Sequence, residues 1–140
     1  MPEKKIKHLE MIEAIIERMA KNCFQLKGWA MTLVALVGTL GAQGSEKKFM
    51  LLAFIPVIGF CFLDAFYLQQ ERKYKQLYKN VAKKDENDID FNMDTRLVTG
   101  NADEMKRLCF CQCLFSISVI VFYGVIAVAM LSLFFVLKML

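Results

Sequence analysis

Residues 49–84 constrain this chain more than any other stretch. They open with FMLLAFIPVIGFCFLDAFYL, in which Asp64 is the only charge, and a run of about 20 such residues is what a helix needs to cross a bilayer core of roughly 30 Å. The stretch continues without Gly or Pro into QQERKYKQLYKNVAKK. There Arg72, Lys73, Lys75, Lys79, Lys83 and Lys84 face a single acid, Glu71, while Tyr74, Leu77, Tyr78 and Val81 recur at helical spacing. One helix is therefore predicted over 49–84, about 54 Å long, with some 20 to 25 Å of it beyond the bilayer as a basic stalk. Pro56, near the middle of the span, predicts a kink and a freed carbonyl.

The chain is 56% apolar, and its apolar residues fall in blocks rather than alternating, which predicts an integral membrane protein of one unit. Its net charge of +4 conceals a segregation. Residues 69–84 are basic, whereas 85–104 carry Asp85, Glu86, Asp88, Asp90, Asp94, Asp103 and Glu104 against Arg96 alone. No small-residue cleavage site follows the first apolar block, so the N-terminus is expected to stay attached.

The expected fold is all-α, with three transmembrane helices and a cytosolic helical stalk formed by the N-terminal helix and the extension of the second span. Residues 1–23 read as a cytosolic amphipathic helix. Leu9, Ile12, Ile16, Met19, Cys23 and Leu26 form an a/d face, which would pack in a bundle or lie on the membrane surface. The first span is expected over 24–42, with Lys27 at its entry, Trp29 at interfacial depth, and Ala35, Gly38, Gly41 and Ala42 giving its far end a small-residue surface. An external hairpin at 43–48 turns on Gly44 and Ser45, and the second span follows over 49–68.

Basic residues concentrate before residue 28 and between 69 and 110. This places the N-terminus and the long loop in the cytosol, and the C-terminus outside. Lys27 and Asp64 then lie at one level on antiparallel helices, where they can pair. A carboxylate at this depth is either one half of a structural ion pair or part of an ion path or gate.

Residues 69–84 are the basic stalk and 85–107 an acidic linker and helix start. Asp88, Asp90, Asn92 and Asp94 superficially suggest a calcium loop, but Met93 stands where Gly is needed and Thr99 where a bidentate Glu belongs, so a solvated acidic linker, folding back on the basic stalk of its own or a neighbouring subunit, is the better reading. Asn101, followed by Asp103 and Glu104, predicts a helix N-cap. The third span is expected over 108–138. Its uncharged part is about 45 Å long, so it must tilt or project. Cys113, Ser116, Tyr123, Gly124 and Ala127 give it a small or weakly polar face for helix packing or for lining a water-filled path. Cys109, Cys111 and Cys113 read as apolar packing residues, since C-x-C-x-C cannot present three ligands on one helical face.

No catalytic constellation, phosphate loop or serine elbow is present, so no enzyme, cofactor or metal is expected. Asp64, Lys27, Tyr123 and Ser116 are the candidates for a gate or ion path. Arg72, Lys73, Lys75, Tyr78, Lys79, Lys83 and Lys84 are the candidates for binding an anion, either lipid headgroups or a phosphate-rich soluble ligand such as single-stranded nucleic acid.

Two blocks carry a resemblance: NCFQLKGWAMTLVA at 22–35 and FLDAFYLQQERKYKQLY at 62–78. They resemble the signature blocks of a group of short bacterial three-span membrane proteins, over roughly the first 80 residues, with Lys27, Trp29, Asp64, Glu71, Arg72 and Tyr78 at matched positions. Within such proteins the chain is similar to the membrane channel effectors of the Hailong anti-phage system. The resemblance implies a bacterial inner-membrane homo-oligomer, a tetramer by preference. It would be a channel held or gated by a single-stranded DNA or nucleotide oligomer that an operon-encoded nucleotidyltransferase makes. Opening would depolarise the cell and arrest growth. A different expectation is a non-conducting membrane adaptor that recruits a soluble partner through its amphipathic N-terminal helix and stalk, with Ile12 and Ile16 of the a/d face mattering for capture. A phage-type holin fits the size, but not the cytosolic N-terminus and stalk.

Overall fold

The computed structural model describes residues 3–44 and 48–139; the hairpin residue Ser45 and the initial Pro2 lie outside them. The described residues are helical with no strand. Helix α1 runs unbroken over Glu3–Ala42, α2 over Lys48–Leu52, α3 over Phe54–Lys83, α4 over Ala102–Arg107, α5 over Phe110–Leu114 and α6 over Ile117–Met139. Short 3₁₀ turns occupy Glu86–Asp88 and Thr95–Leu97. The expected amphipathic helix and first span are thus one helix, because no breaker separates them.

The expected second span is not one helix. Its break falls at Ala53, ahead of the proline, for a backbone reason. Pro56 has no N–H to offer the Leu52 carbonyl and its ring crowds that group, so α2 stops at Leu52. Pro56 then sits in the first turn of α3, where the missing donor costs nothing. Continuous apolar helix is left only over 54–68, about 22 Å. Among the described residues, two helices are long and apolar enough to cross a membrane, α1 and α6. The third apolar stretch is also interrupted, at Phe115 and Ser116. Instead of one helix of about 45 Å there are the short α5 and then α6, which at 23 residues spans about 34 Å.

The chain divides into two compact units. One combines α1 through Cys23 with Phe66–Cys113. Its core is Ile12, Leu77, Val81 and Val98, with Leu9, Ile16, Tyr74, Tyr78, Ile89, Met93 and Leu108 packed around them. The N-terminal part of the a/d face of α1, Leu9, Ile12 and Ile16, therefore packs within the chain, and each fully buried aliphatic side chain contributes about 1.5–3 kcal/mol.

The other unit combines Phe24–Ala65 with Leu114–Leu140. Leu26 and Ala30 of α1, Val57 and Ala65 of α3, and Val119, Tyr123, Ile126 and Met130 of α6 are buried. The four α6 positions follow the 4-3-4 spacing of one helix face. Gly38 lets α6 approach α1, since a Cβ there would stand 3.3 Å from Leu133. The small face expected on α6 is not its packed face: Tyr123 turns inward, but a Cβ added at Gly124 would meet nothing within 4 Å. Trp29, Ile117, Val125, Val128 and Phe135 are more than half exposed, so this unit presents apolar surface outward as well as inward, a pattern compatible with membrane insertion.

Candidate functional site

The apolar unit contains a buried ion pair. Lys27 of α1 and Asp64 of α3 meet at 2.5 Å, with the Asp64 side chain 1% exposed and that of Lys27 20% exposed. Fully buried Ala30 and Ala65 keep side-chain bulk low on both helices near the pair, which suits a short carboxylate reaching an ammonium. The ammonium also stands 5.7 Å from the centre of the Phe122 ring, within the range of a cation–π contact. One turn before Asp64 on α3, the Tyr123 hydroxyl donates to the Phe60 carbonyl at 3.2 Å.

Three of the four predicted gate or path residues, Lys27, Asp64 and Tyr123, are thus brought together where α1, α3 and α6 pack. Ser116 does other work: its carbonyl accepts from the Val119 and Ile120 N–H groups and so starts α6. A carboxylate this buried is stable as an ion only while a partner and hydrogen bonds compensate its lost hydration. Separating α1 from α3 at this level requires water or a cation to enter.

In the other unit the acidic linker lies along the basic helix. Lys79 pairs with Glu104 and Lys84 with Asp90, each at 3.4 Å, and Lys75 pairs with Glu71 one turn away at 2.5 Å. Arg72 donates to the Arg107 carbonyl at 3.0 Å, and Gln69 to the Leu108 carbonyl at 2.9 Å. Both side chains satisfy carbonyls left over at the end of α4. Lys73 and Lys83 make no ion pair among the described residues. Tyr78, predicted beside these bases as a ligand contact, packs with Tyr74 against the core.

Gln76, only 7% exposed, donates to the Thr99 carbonyl at 3.0 Å and to Glu104 at 3.2 Å. Gly100 makes this closure possible, since a Cβ there would come within 2.8 Å of both Gln76 and Glu104 side chains. Beside it a cleft of about 500 Å³ opens among Asn80, Lys83, Lys84, Asp90, Asn92 and Asn101.

The evenly spaced Asp90, Asn92 and Asp94 form consecutive turns. Asp90 accepts from the Asn92 N–H, Asn92 from the Asp94 N–H, and Asp94 from the Arg96 N–H, at 3.3, 2.9 and 2.9 Å. The backbone N–H of Asn92 holds the Asp90 carboxyl below its usual range, aided by Lys84. Arg96 does the same for Asp94, and the Asn101 N–H, with Lys79 and Gln76, for Glu104. Asn101 is the N-cap of α4, as its sequence context predicts. Of the three clustered cysteines only Cys113 is buried; Cys109 and Cys111 are exposed.

Sequence reasoning missed His8. It reads as one polar residue on a charged helix, yet it is fully buried. Its Nε2 donates to the Asn92 carbonyl at 3.2 Å, and its ring centre lies 5.4 Å from that of Phe91. The available signal was position, because His8 stands four residues before Ile12 on the same helix face. Nearby, the Lys4 and Lys5 N–H groups donate to the Glu86 carboxylate at 2.9 and 3.3 Å, so the linker also caps the start of α1. No family model, curated protein or solved structure matches the chain.

Proposed function

We propose that this protein is a homo-oligomeric bacterial membrane ion channel, a tetramer by preference, gated from the cytosol by an anionic nucleotide or oligonucleotide. The observation that carries this reading is the Lys27–Asp64 pair, buried inside an apolar unit with a second apolar surface facing outward. Ionisable groups within membrane-crossing helices are costly, and their usual place is an ion path or gate. Here α1 beyond Lys27, α6, and the broken α2–α3 segment are the three crossing segments, with the N-terminus cytosolic and the C-terminus periplasmic. The basic helix is the anion sensor. Its oligonucleotide ligand, and the setting of an anti-phage effector whose opening depolarises the cell, come from the resemblance of 22–35 and 62–78. The adaptor reading has a soluble partner captured through the N-terminal helix and the stalk; Ile12, fully buried in its own chain, is not open to such a partner.

The test is current across a planar bilayer holding the purified protein, with and without short single-stranded DNA oligomers. Discrete currents that the oligomers alter, and that Asp64→Asn changes in amplitude or gating, are expected. Silence from an intact assembly in both conditions would overturn the reading.

A further inference from the structure

We infer that the acidic linker is a built-in competitor for the basic helix: Asp90 and Glu104 occupy the ammonium groups that an incoming phosphate-bearing polyanion takes, so binding requires the linker to lift. This rests on the anion-sensing part of the proposed function and names its regulation. Lys84 and Lys79, two of the cations facing the linker, are already engaged by its carboxylates. Both pairs are long, at 3.4 Å, and solvent-accessible, which makes them weak and exchangeable. Lys83, beside them, makes no ion pair among the described residues and lines the same cleft, giving a polyanion a first foothold.

The linker also carries a strained joint. Phe91 holds φ at +53°, a left-handed conformation that is uncommon for a residue with a bulky side chain and persists where surrounding contacts enforce it. Those contacts are Asp90 on Lys84 to one side, the His8 ring against Phe91, and the Asn92 carbonyl on His8 to the other. Removing Asp90 from Lys84 takes away one of the three. Lifting the linker also takes Phe91 and the Asn92 carbonyl away from His8, the only histidine in the chain, and uncovers it.

The experiment uses the full chain in detergent, with short-chain inorganic polyphosphate as the probe and vesicles of phosphatidylserine or phosphatidylcholine as a second arm. Affinity is measured for the wild type, for Asp90→Asn/Glu104→Gln and for Lys79→Gln/Lys84→Gln. The first variant removes charge but keeps the acceptors for the Asn92 and Asn101 N–H groups. It should bind polyphosphate tighter, by about two- to five-fold for each carboxylate, and the lysine variant should bind more weakly. In the wild type, which needs no substitution, saturating polyphosphate should raise the rate at which diethyl pyrocarbonate modifies His8 several-fold.

Tightening confined to phosphatidylserine vesicles would support the competitor and make lipid headgroups the source of the phosphate. Unchanged affinity in the carboxylate variant, with an unchanged His8 rate and a weakened lysine variant, would overturn the competitor while leaving the sensor standing. Wild-type affinity in the lysine variant, for both polyphosphate and vesicles, would overturn both.

Discussion

Lys27 and Asp64 lie 37 positions apart in sequence and meet at 2.5 Å inside the apolar unit, but they are not equally placed. The Lys27 side chain keeps 20% of its surface exposed and that of Asp64 keeps 1%. A long stem lets an ammonium reach a polar boundary when its partner is lost; a short carboxylate has no such escape. Lys27→Met should therefore destabilise the fold by about 3–5 kcal/mol, the range for a buried charge stripped of its partner. Asp64→Asn should cost about 1–2 kcal/mol. The double replacement Lys27→Met/Asp64→Leu should recover most of the loss. Unfolding in mixed micelles measures all three, and equal losses in the two single variants would contradict the asymmetry.

Two glycines of the apolar unit, one packed and one open, should respond differently. At Gly38 a Cβ would stand 3.3 Å from Leu133 Cδ2. The helical gain of about 1 kcal/mol for Ala over Gly is then offset by crowding, and Gly38→Ala should be near neutral. Gly38→Ile should cost about 1–3 kcal/mol through overpacking. At Gly124 nothing stands within 4 Å of a Cβ, so Gly124→Ala should stabilise a single chain by up to about 1 kcal/mol. Cross-linking the same variants in membranes adds the assembly: dissociation caused by Gly124→Ile, with the single chain stable, would assign that face of α6 to a subunit contact.

The Lys27–Asp64 pair was legible in the sequence because helix length and the antiparallel order of successive helices put Lys27 and Asp64 at one level. The inward face of α1 at Leu9, Ile12 and Ile16 was legible from its spacing, and the α4 cap from Asn101. What escaped depends on contacts distant in the chain or on backbone detail. His8 gives no hydropathy signal, and only the linker packed over it, with the Asn92 carbonyl accepting from Nε2, accounts for its burial. Pro56 marks a break, but it acts on the carbonyl four residues earlier, so the interruption appears at Ala53. The break before α6 has no Gly or Pro; Ser116, a good N-cap type inside an uncharged run, was the available sign. The alternating Asp90, Asn92 and Asp94 resemble ligand spacing because side chains two residues apart can serve either a cation or their own backbone.

The linker should loosen in acid. Asp90, Asp94 and Glu104 each have a folded-state pKa below the ordinary value, chiefly through the Asn92 N–H, the Arg96 side chain and the Asn101 N–H respectively. For a depressed carboxylate, the stability gained is complete above the unfolded pKa, near 4, and is lost as pH falls through the lower folded-state value. Hydrogen exchange at the Asn92, Arg96 and Asn101 amides, corrected for intrinsic rates, should show constant protection from pH 7 to about 5 and a decline below roughly 4. Raised salt at neutral pH should weaken the Lys79 and Lys84 pairs, because both are exposed to solvent. Protection unchanged down to pH 3 would mean that packing of Val98 and Met93, rather than these carboxylates, holds the linker.

Ile12 separates the channel from the adaptor at the level of a single side chain. It is fully buried against a core built from Leu77, Val81 and Val98 of the same chain, so Ile12→Ala should open a cavity and cost about 2–4 kcal/mol. Ile6 is 46% exposed on the same helix, and Ile6→Ala should change stability by less than about 0.5 kcal/mol. An adaptor that captures its partner through this face predicts another pattern, in which Ile12→Ala leaves the melting temperature unchanged and abolishes co-purification of a soluble protein. Melting of both variants in detergent, followed by current measurement on the Ile12 variant below its melting point, decides between them. A destabilised protein that still conducts when folded is expected, because Ile12 belongs to the core of the unit that carries the basic helix and lies outside the one that holds Lys27 and Asp64.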